Sequence, residues 1–340
     1  MDRAEFEKRL LSVVIPDGTP VSEINRMLKP IREAIVEMMP HSLFRYRPCE
    51  ERHIDAFERD AIYAVPADRF NDPYDTLVRY DFDSIKEYVD HYVTPTGLEQ
   101  LKSLYSQGYD LPKEFKQILP DEFWDELKAR VLELSDLSGL EGRLEESKQQ
   151  LLSLVSTYFP MLSFMGKRFS TIACFSEDVR SILMWSHYAD SHKGFALEYD
   201  FRPTLKQPLP RVGLYPVIYS DARFDASPYL TWAFLTVMGV KAINPDIAAS
   251  TKAALFKSRS WEYEKEWRMI DPGPHDILHP KASVVDYRPV AIYYGHNIEE
   301  KNKTHLHSIA AAKGIKEYEM TIDYTSPSYE MRFRPAGEMH

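Results

Sequence analysis

The chain has 340 residues, 44% of them hydrophobic and 13% aromatic, which is enough to build a sizeable core and too apolar for a disordered segment. Its formal net charge of −10 argues against general affinity for nucleic acid while leaving room for a local basic pocket. Two cysteines, Cys49 and Cys174, offer neither metal-ligand spacing nor a disulfide framework and read as reduced thiols of a cytoplasmic protein.

The opening MDRAEFEKRLLSVVIP is charged and amphipathic, unlike a secretory leader. No run approaches the roughly 20 apolar residues of a membrane span. Apolar spacing predicts helices over 2–13 and 21–39; in the second, Ile24, Met27, Leu28, Ile31, Ile35 and Met38 share one face, with Ser22 as N-cap. An aromatic strand over 43–48 follows, then a helix over EERHIDAFERD, a strand over 61–66 and the irregular ADRFNDPYD. From 83 to 166 Leu, Glu, Lys and Gln dominate, which predicts helices broken near Gly139 and Gly142. Strand signals return at 169–176, 194–201 and 214–220, with SILMWSHYAD helical between the first two. A helix over 229–257, a turn through 260–264, a strand over 265–270, a strand pair within 283–295, a helix near 299–313 and a strand near 315–323 complete the chain. The order predicts an α+β fold with a mixed, largely antiparallel sheet, because strands and helices intermix without βαβ alternation. The expected organisation is an N-terminal helical segment (1–42), a core domain (43–82 and 167–325), a helical insertion (83–166) and a C-terminal tail (326–340). No Walker or dinucleotide fingerprint occurs among the 13 scattered glycines.

Three stretches concentrate polar and aromatic side chains. In the first strand, alternation places Leu43, Arg45 and Arg47 on one face and Phe44 and Tyr46 on the other. Two guanidiniums on one face suit a phosphate or carboxylate, or form a solvated strand face. Nearby, Asn71 and Asp72 precede Pro73 as turn formers, with Asp72 and Asp75 as weak metal-ligand candidates. On a helix from 180 to 190, Met184, His187 and Tyr188 share a face beside Trp185; His187 with Tyr188 suits a general base or a hydrogen-bonded core pair. Gly194 reads as a turn glycine, and Glu198, inside an apolar strand, needs a partner if buried. The third stretch is WEYEKEWRMI at 261–270. As a strand entered from a turn, it places Glu266 and Arg268 on one face and Trp267 in the core, with Glu264 still in the turn and Glu262 solvated. Glu264 and Glu266 then stand at the strand entrance, facing a cleft and partly solvated, as catalytic carboxylates or as structural ion pairs with Arg268.

The ordered motifs FRYR, FNDPYD, CFSE, MWSHYADSHKGFALEYD and WEYEKEWRMI resemble those of a widespread bacterial family known only as a domain of unknown function, over about residues 43–295. The layout is also similar to ADP-ribosyltransferases, which place a basic or histidine residue on the first strand, a polar or tyrosine residue on the second and a catalytic glutamate on a later one. That resemblance implies NAD as cofactor, Arg45 or Arg47 at its phosphates or ribose, Tyr63 stacked on nicotinamide and Glu266 or Glu264 as the catalytic carboxylate. The first strand lacks the histidine and the second lacks a Ser-Thr-Ser run. His187 and Tyr188 complete the catalytic candidates; Tyr46, Asn71, Asp72 and Trp185 complete the ligand-contacting ones. Two other classes fit the residues: a recognition module for a ligand or protein, in a stress or phage-response setting, and a Mg²⁺-dependent hydrolase or nuclease using Asp72, Asp75, Glu264 and Glu266. The partner expected is a small molecule, with no membrane and no nucleic acid; the sequence does not specify an oligomeric state.

Overall fold

A computed structural model describes residues 1–16, 18–110, 144–168, 170–206, 213–240, 246–273, 279–327 and 329–337, with isolated positions between 122 and 133. Its strands are β1 (Leu43–Arg47), β2 (Ala61–Pro66), β3 (Thr171–Ser176), β4 (Phe195–Tyr199), β5 (Gly213–Pro216), β6 (Ile218–Ser220), β7 (Phe256–Ser258), β8 (Glu266–Asp271), β9 (Ser283–Asp286), β10 (Ala291–Tyr294), β11 (Lys316–Ile322) and β12 (Met331–Pro335). The five stretches richest in aromatic and β-branched residues become β1, β2, β3, β4 and β8 of one ten-stranded sheet. Its order is β12-β11-β10-β4-β1-β3-β2-β9, with β8 also on β3 and β5 on β8. Only the β10–β11 pair of this sheet is parallel among the described residues, so the fold is α+β on a mixed, mostly antiparallel sheet.

Strand β3 is the branch point. Along one edge it pairs with β8 from Thr171↔Asp271 to Ser176↔Glu266. Its other edge is divided: β2 pairs at Val65↔Ile172 and Pro66↔Thr171, and β1 pairs at Phe44↔Ser176. Directly opposed residues point to the same side of a sheet. Phe44, Ser176 and Glu266 therefore share one face, and Arg45, one step along β1, belongs to the other.

The Arg45 face carries the main core, where Leu43, Phe195, Leu197 and Trp267 meet Phe6 and Leu10 of helix Arg3–Ser12, Ile31 and Ile35 of Val21–Met38, Phe57 of Glu51–Glu58 and Leu306 of Glu300–Lys313. The opposite face packs Phe44 and Tyr46 against Met184 and Trp185 of helix Ile182–Tyr188. A third cluster joins helices Phe82–Tyr92, Pro95–Ser106 and Leu144–Gly166 to Leu230 and Phe234 of Ser227–Val237. The expected helix break near Gly139 and Gly142 lies outside the described residues.

Several boundaries differ from the sequence reading for local reasons. The expected strand 214–220 is two strands in different sheets: β5 pairs with β8, and β6 pairs in parallel with β7. Pro216 ends β5, since proline has no N–H for a ladder. The helix expected over 229–257 stops at Val237; a short helix Ala249–Ala253 follows, and then β7. Helix Val21–Met38 starts before Ser22, with Pro20 at the cap position and no side-chain cap. Gly194 does not have the left-handed backbone expected of a turn glycine. Asp190, Ser191 and His192 take those angles (φ 45°, 53° and 68°), and Gly194 instead permits close approach, since a Cβ there would stand 2.1 Å from the Arg47 carbonyl. Residues 331–335 of the expected tail form β12, which pairs with β11. Glu198 has its partners in Ser42 and the Tyr293 hydroxyl, the latter at 2.9 Å.

Candidate functional site

The stretch 259–271 runs as a 3₁₀ helix (Arg259–Glu264), a single left-handed residue (Lys265, φ 45°) and then β8. The reversal at Lys265 turns its own side chain to solvent and brings Glu264 and Glu266 to the same interior point. Trp267 anchors the strand from the other face, fully buried, with its indole Nε1 donating to Glu177 at 2.7 Å. Ser176 Oγ donates to the Glu264 carbonyl at 2.7 Å and holds the turn against β3.

From that point a chain of charges runs inward. Lys257 Nζ, on β7, donates to Glu264 Oε2 at 2.5 Å and to Glu266 Oε2 at 2.8 Å, and lies 3.5 Å from Asp75 Oδ2. Arg268 donates from Nε to Glu266 Oε1 at 2.8 Å, from Nη2 to Asp75 Oδ2 at 2.7 Å and from Nη1 to the Ala254 carbonyl at 2.6 Å. At the outer end, the Tyr188 hydroxyl donates to Glu264 Oε1 at 2.6 Å, and Asn71 Nδ2 lies 3.5 Å from that hydroxyl. Asp75, Lys257, Glu264, Glu266 and Arg268 are all buried. Both glutamates are only 3% exposed, so the expectation of partly solvated carboxylates at a cleft mouth is corrected: each is withdrawn behind its ion pairs.

Three carboxylates against two cations leave one surplus negative charge, and its cost falls unevenly. Burial would raise Glu266, but Arg268 and Lys257 outweigh it and hold the carboxyl well below its ordinary range. Glu264 goes up, through burial and then repulsion by Glu266, with Lys257 offsetting only part. Asp75 is also raised, by burial against the pull of Arg268. The Lys257 ammonium is disfavoured by burial, yet its carboxylate neighbours, Glu266 foremost, raise it overall. Burial and then Glu264 push the Tyr188 phenol up, so it serves as a donor. The Cys174 thiol beside Glu266 is pushed well up by burial and then by that carboxylate. Glu266 is thus locked as an anion, whereas Glu264 and Asp75 are both pushed toward the protonated form, the property acid–base chemistry needs, and of the two it is Glu264 that meets Tyr188.

The structure gathers Asn71, Tyr188, Glu264 and Glu266 and leaves other candidates elsewhere. Arg45 and Arg47 lie on the opposite sheet face, so arginines and glutamates do not line one pocket. Tyr46 and Trp185 are buried against each other, ring centroids 5.1 Å apart, with Tyr46 bonded to the Asp178 carbonyl and Trp185 Nε1 to the Val179 carbonyl. Asp72 caps its own turn, Oδ1 accepting from the Tyr74 amide at 2.8 Å. His187 is exposed, its ring 6.4 Å from the rings of both Tyr188 and Tyr263. Tyr63 is half-buried on β2, its side chain on the Cys174 face by the Val65↔Ile172 register. Among the described residues no group of three or more His, Cys, Asp or Glu side chains is set to hold a metal. The Lys257 ammonium occupies the point where Asp75, Glu264 and Glu266 converge.

Sequence reasoning missed Lys257, which falls inside the helix expected over 229–257, and missed that Asp75 answers Arg268 from 193 positions away. One signal was available: two acids beside a single arginine require another cation wherever they are buried. Residues 184–269 match the family model described as a protein of unknown function (DUF2971). The DUF2971 match takes in Tyr188, Lys257, Glu264, Glu266 and Arg268, whereas Asn71 and Asp75 come from outside it. No curated protein and no solved structure matches the chain. No helix among the described residues is long and apolar enough to cross a membrane.

Proposed function

We propose that the chain is an ADP-ribosyltransferase-like enzyme that binds NAD and cleaves its N-glycosidic bond, with Glu264 as the carboxylate that meets the substrate. The observation that carries this reading is the inequality of the two glutamates. Glu266 is fixed between Arg268 and Lys257, while Glu264 ends the network beneath Tyr188 and the exposed Asn71. Breaking the bond sends its electron pair to nicotinamide and leaves a cationic ribosyl carbon, to which an acceptor oxygen or nitrogen then bonds as it loses a proton. A buried site with one surplus negative charge favours that cation, and the cation in turn favours ionised Glu264. The substrate's ribose hydroxyls would replace Tyr188 as donors to Glu264.

Trp261 and Tyr263 flank the site, with Lys257 5.2 Å from the Trp261 ring centre. Tyr263 also borders a groove of about 960 Å³, lined further by Phe44, Arg180, Lys265 and Phe333, of a size that suits an extended ligand. In this reading Arg180 and Lys265, rather than Arg45 and Arg47, face the phosphates. The test is to incubate the full chain with NAD and follow nicotinamide by chromatography. Turnover is expected for the wild type and to fall by roughly 10²–10³ in Glu264→Gln, as on losing one electrostatic stabiliser. Absence of both NAD binding and nicotinamide release overturns the reading. The aromatic lining of the same groove favours the alternative, a non-enzymatic recognition module, if NAD binds without turnover.

A further inference from the structure

Arg45 and Arg47 are absorbed by none of the chemistry above. Both project from β1 toward the main core, beside Phe195, Leu197 and Tyr199 of β4 by register. Arg45 is 8% exposed. Its Nη2 donates to the Tyr63 carbonyl at 2.6 Å, its guanidinium carbon lies 5.6 Å from the Phe175 ring centre, and its buried Nε has no partner. Arg47, half-buried, donates from Nη1 to the neighbouring Tyr46 carbonyl at 3.1 Å. Neither reaches a carboxylate among the described residues. Same-face strand neighbours are about 7 Å apart, so two guanidiniums stand side by side with no counter-ion among the described residues.

The titratable groups close enough to influence them do not supply one. Tyr199 and Cys174, whose anions would favour the arginines, are both pushed up by burial, Tyr199 to about 12, and are neutral at ordinary pH. His53, on the helix packed nearby, is pushed down to about 4 by burial and then by Arg47 and Arg52, and is neutral too. Arg52 itself is exposed and paired with Glu50 at 2.8 Å. Arg47 is lowered to about 9, by burial first and then by Arg45, as expected of a cation without an anion.

We propose that Arg45 and Arg47 form a binding site for a small oxyanion, phosphate or carboxylate, on the face of the sheet opposite Glu264. A guanidinium suits such a ligand because it is planar, stays charged, and offers parallel donors that match a phosphate or carboxylate edge. The unpartnered Arg45 Nε and the remaining Arg47 donors are the hydrogen bonds such an anion would accept. The ligand would enter past half-buried Arg47, the more accessible of the pair.

The experiment titrates the full chain, without NAD, with inorganic phosphate or acetate by calorimetry and thermal melting, against chloride at matched ionic strength. One of the two anions is expected to bind in the millimolar range or tighter and to raise Tm by several degrees; comparison of the two tells phosphate from carboxylate. Arg47→Gln is expected to weaken that binding at least tenfold. Arg47→Lys, which keeps the charge but loses the two-pronged donor, is expected to fall between them and serves if the first variant folds poorly. Glu264→Gln is expected to bind the anion as the wild type does. The proposal is overturned if neither anion binds better than chloride, if both Arg47 variants bind like wild type, or if Glu264→Gln abolishes binding.

Discussion

The two faces of this sheet bury charge in opposite ways. Around Lys257 and Arg268 every cation has at least two carboxylates in reach, and the donors interlock from Asp75 to Tyr188. Around Arg45 and Arg47 the hydrogen-bond acceptors among the described residues are backbone carbonyls. Desolvating a charge is costly unless it is paired and hydrogen-bonded. The first region meets that cost from within the chain; the second leaves part of it to something outside. A closed network defends a shape, and an open pair of charges invites a ligand.

Breaking the closed network should give the largest effect. Arg268→Met leaves Glu264, Glu266 and Asp75 buried with Lys257 as their remaining cation and is expected to destabilise by about 3–5 kcal/mol in denaturant unfolding, or to yield little folded protein. Lys257→Met keeps Arg268 on Glu266 but strands Glu264; a loss of about 2–4 kcal/mol is expected by the same measurement. A cost within error for either would mean that the network contributes nothing to the closed side of the comparison.

A sharper test sets the two glutamates against each other. The folded pKa of Glu266 lies below its unfolded value, so its stabilisation is present above about pH 4.3 and lost as pH falls through the folded value. Glu264 lies above its unfolded value, so its contribution is present below about pH 4.3 and lost as pH rises through the raised value. Glu266→Gln should therefore cost about 1–3 kcal/mol at pH 7 and progressively less in acid. Glu264→Gln should gain on the wild type as pH rises from 4 to 7, because it removes the surplus charge while its amide oxygen still accepts from Tyr188. Unfolding curves at three pH values check both signs. The smallest effect belongs to exposed Glu262, where replacement by Gln should change stability by less than about 0.5 kcal/mol.

Much of the fold was legible because its signals are local. Aromatic and β-branched runs marked β1 to β4 and β8, and the alternation of Glu266, Trp267 and Arg268 separated the charged face from the core before any partner was known. What escaped depends on contacts between distant segments. A three-residue strand such as β7 is too short to show a period, so Lys257 reads in sequence as the end of a helix. The turn Asn71–Asp75 reads locally as a turn, and nothing nearby in sequence reveals that Asp75 will answer Arg268. The faces of β1 were legible, but which face meets Glu266 is set by the single pairing Phe44↔Ser176, and register is not written in either strand alone.

That pairing is a direct link between the two regions. Ser176 faces Phe44 across the ladder and holds the Glu264 carbonyl through its hydroxyl at 2.7 Å. Any tilt of β1 that accompanies occupancy of the arginines is thus transmitted to the Glu264 backbone through one residue and one hydrogen bond. Thermodynamic reciprocity then fixes the exchange: whatever factor an anion on Arg47 imposes on affinity at Glu264, a ligand at Glu264 imposes equally on the anion.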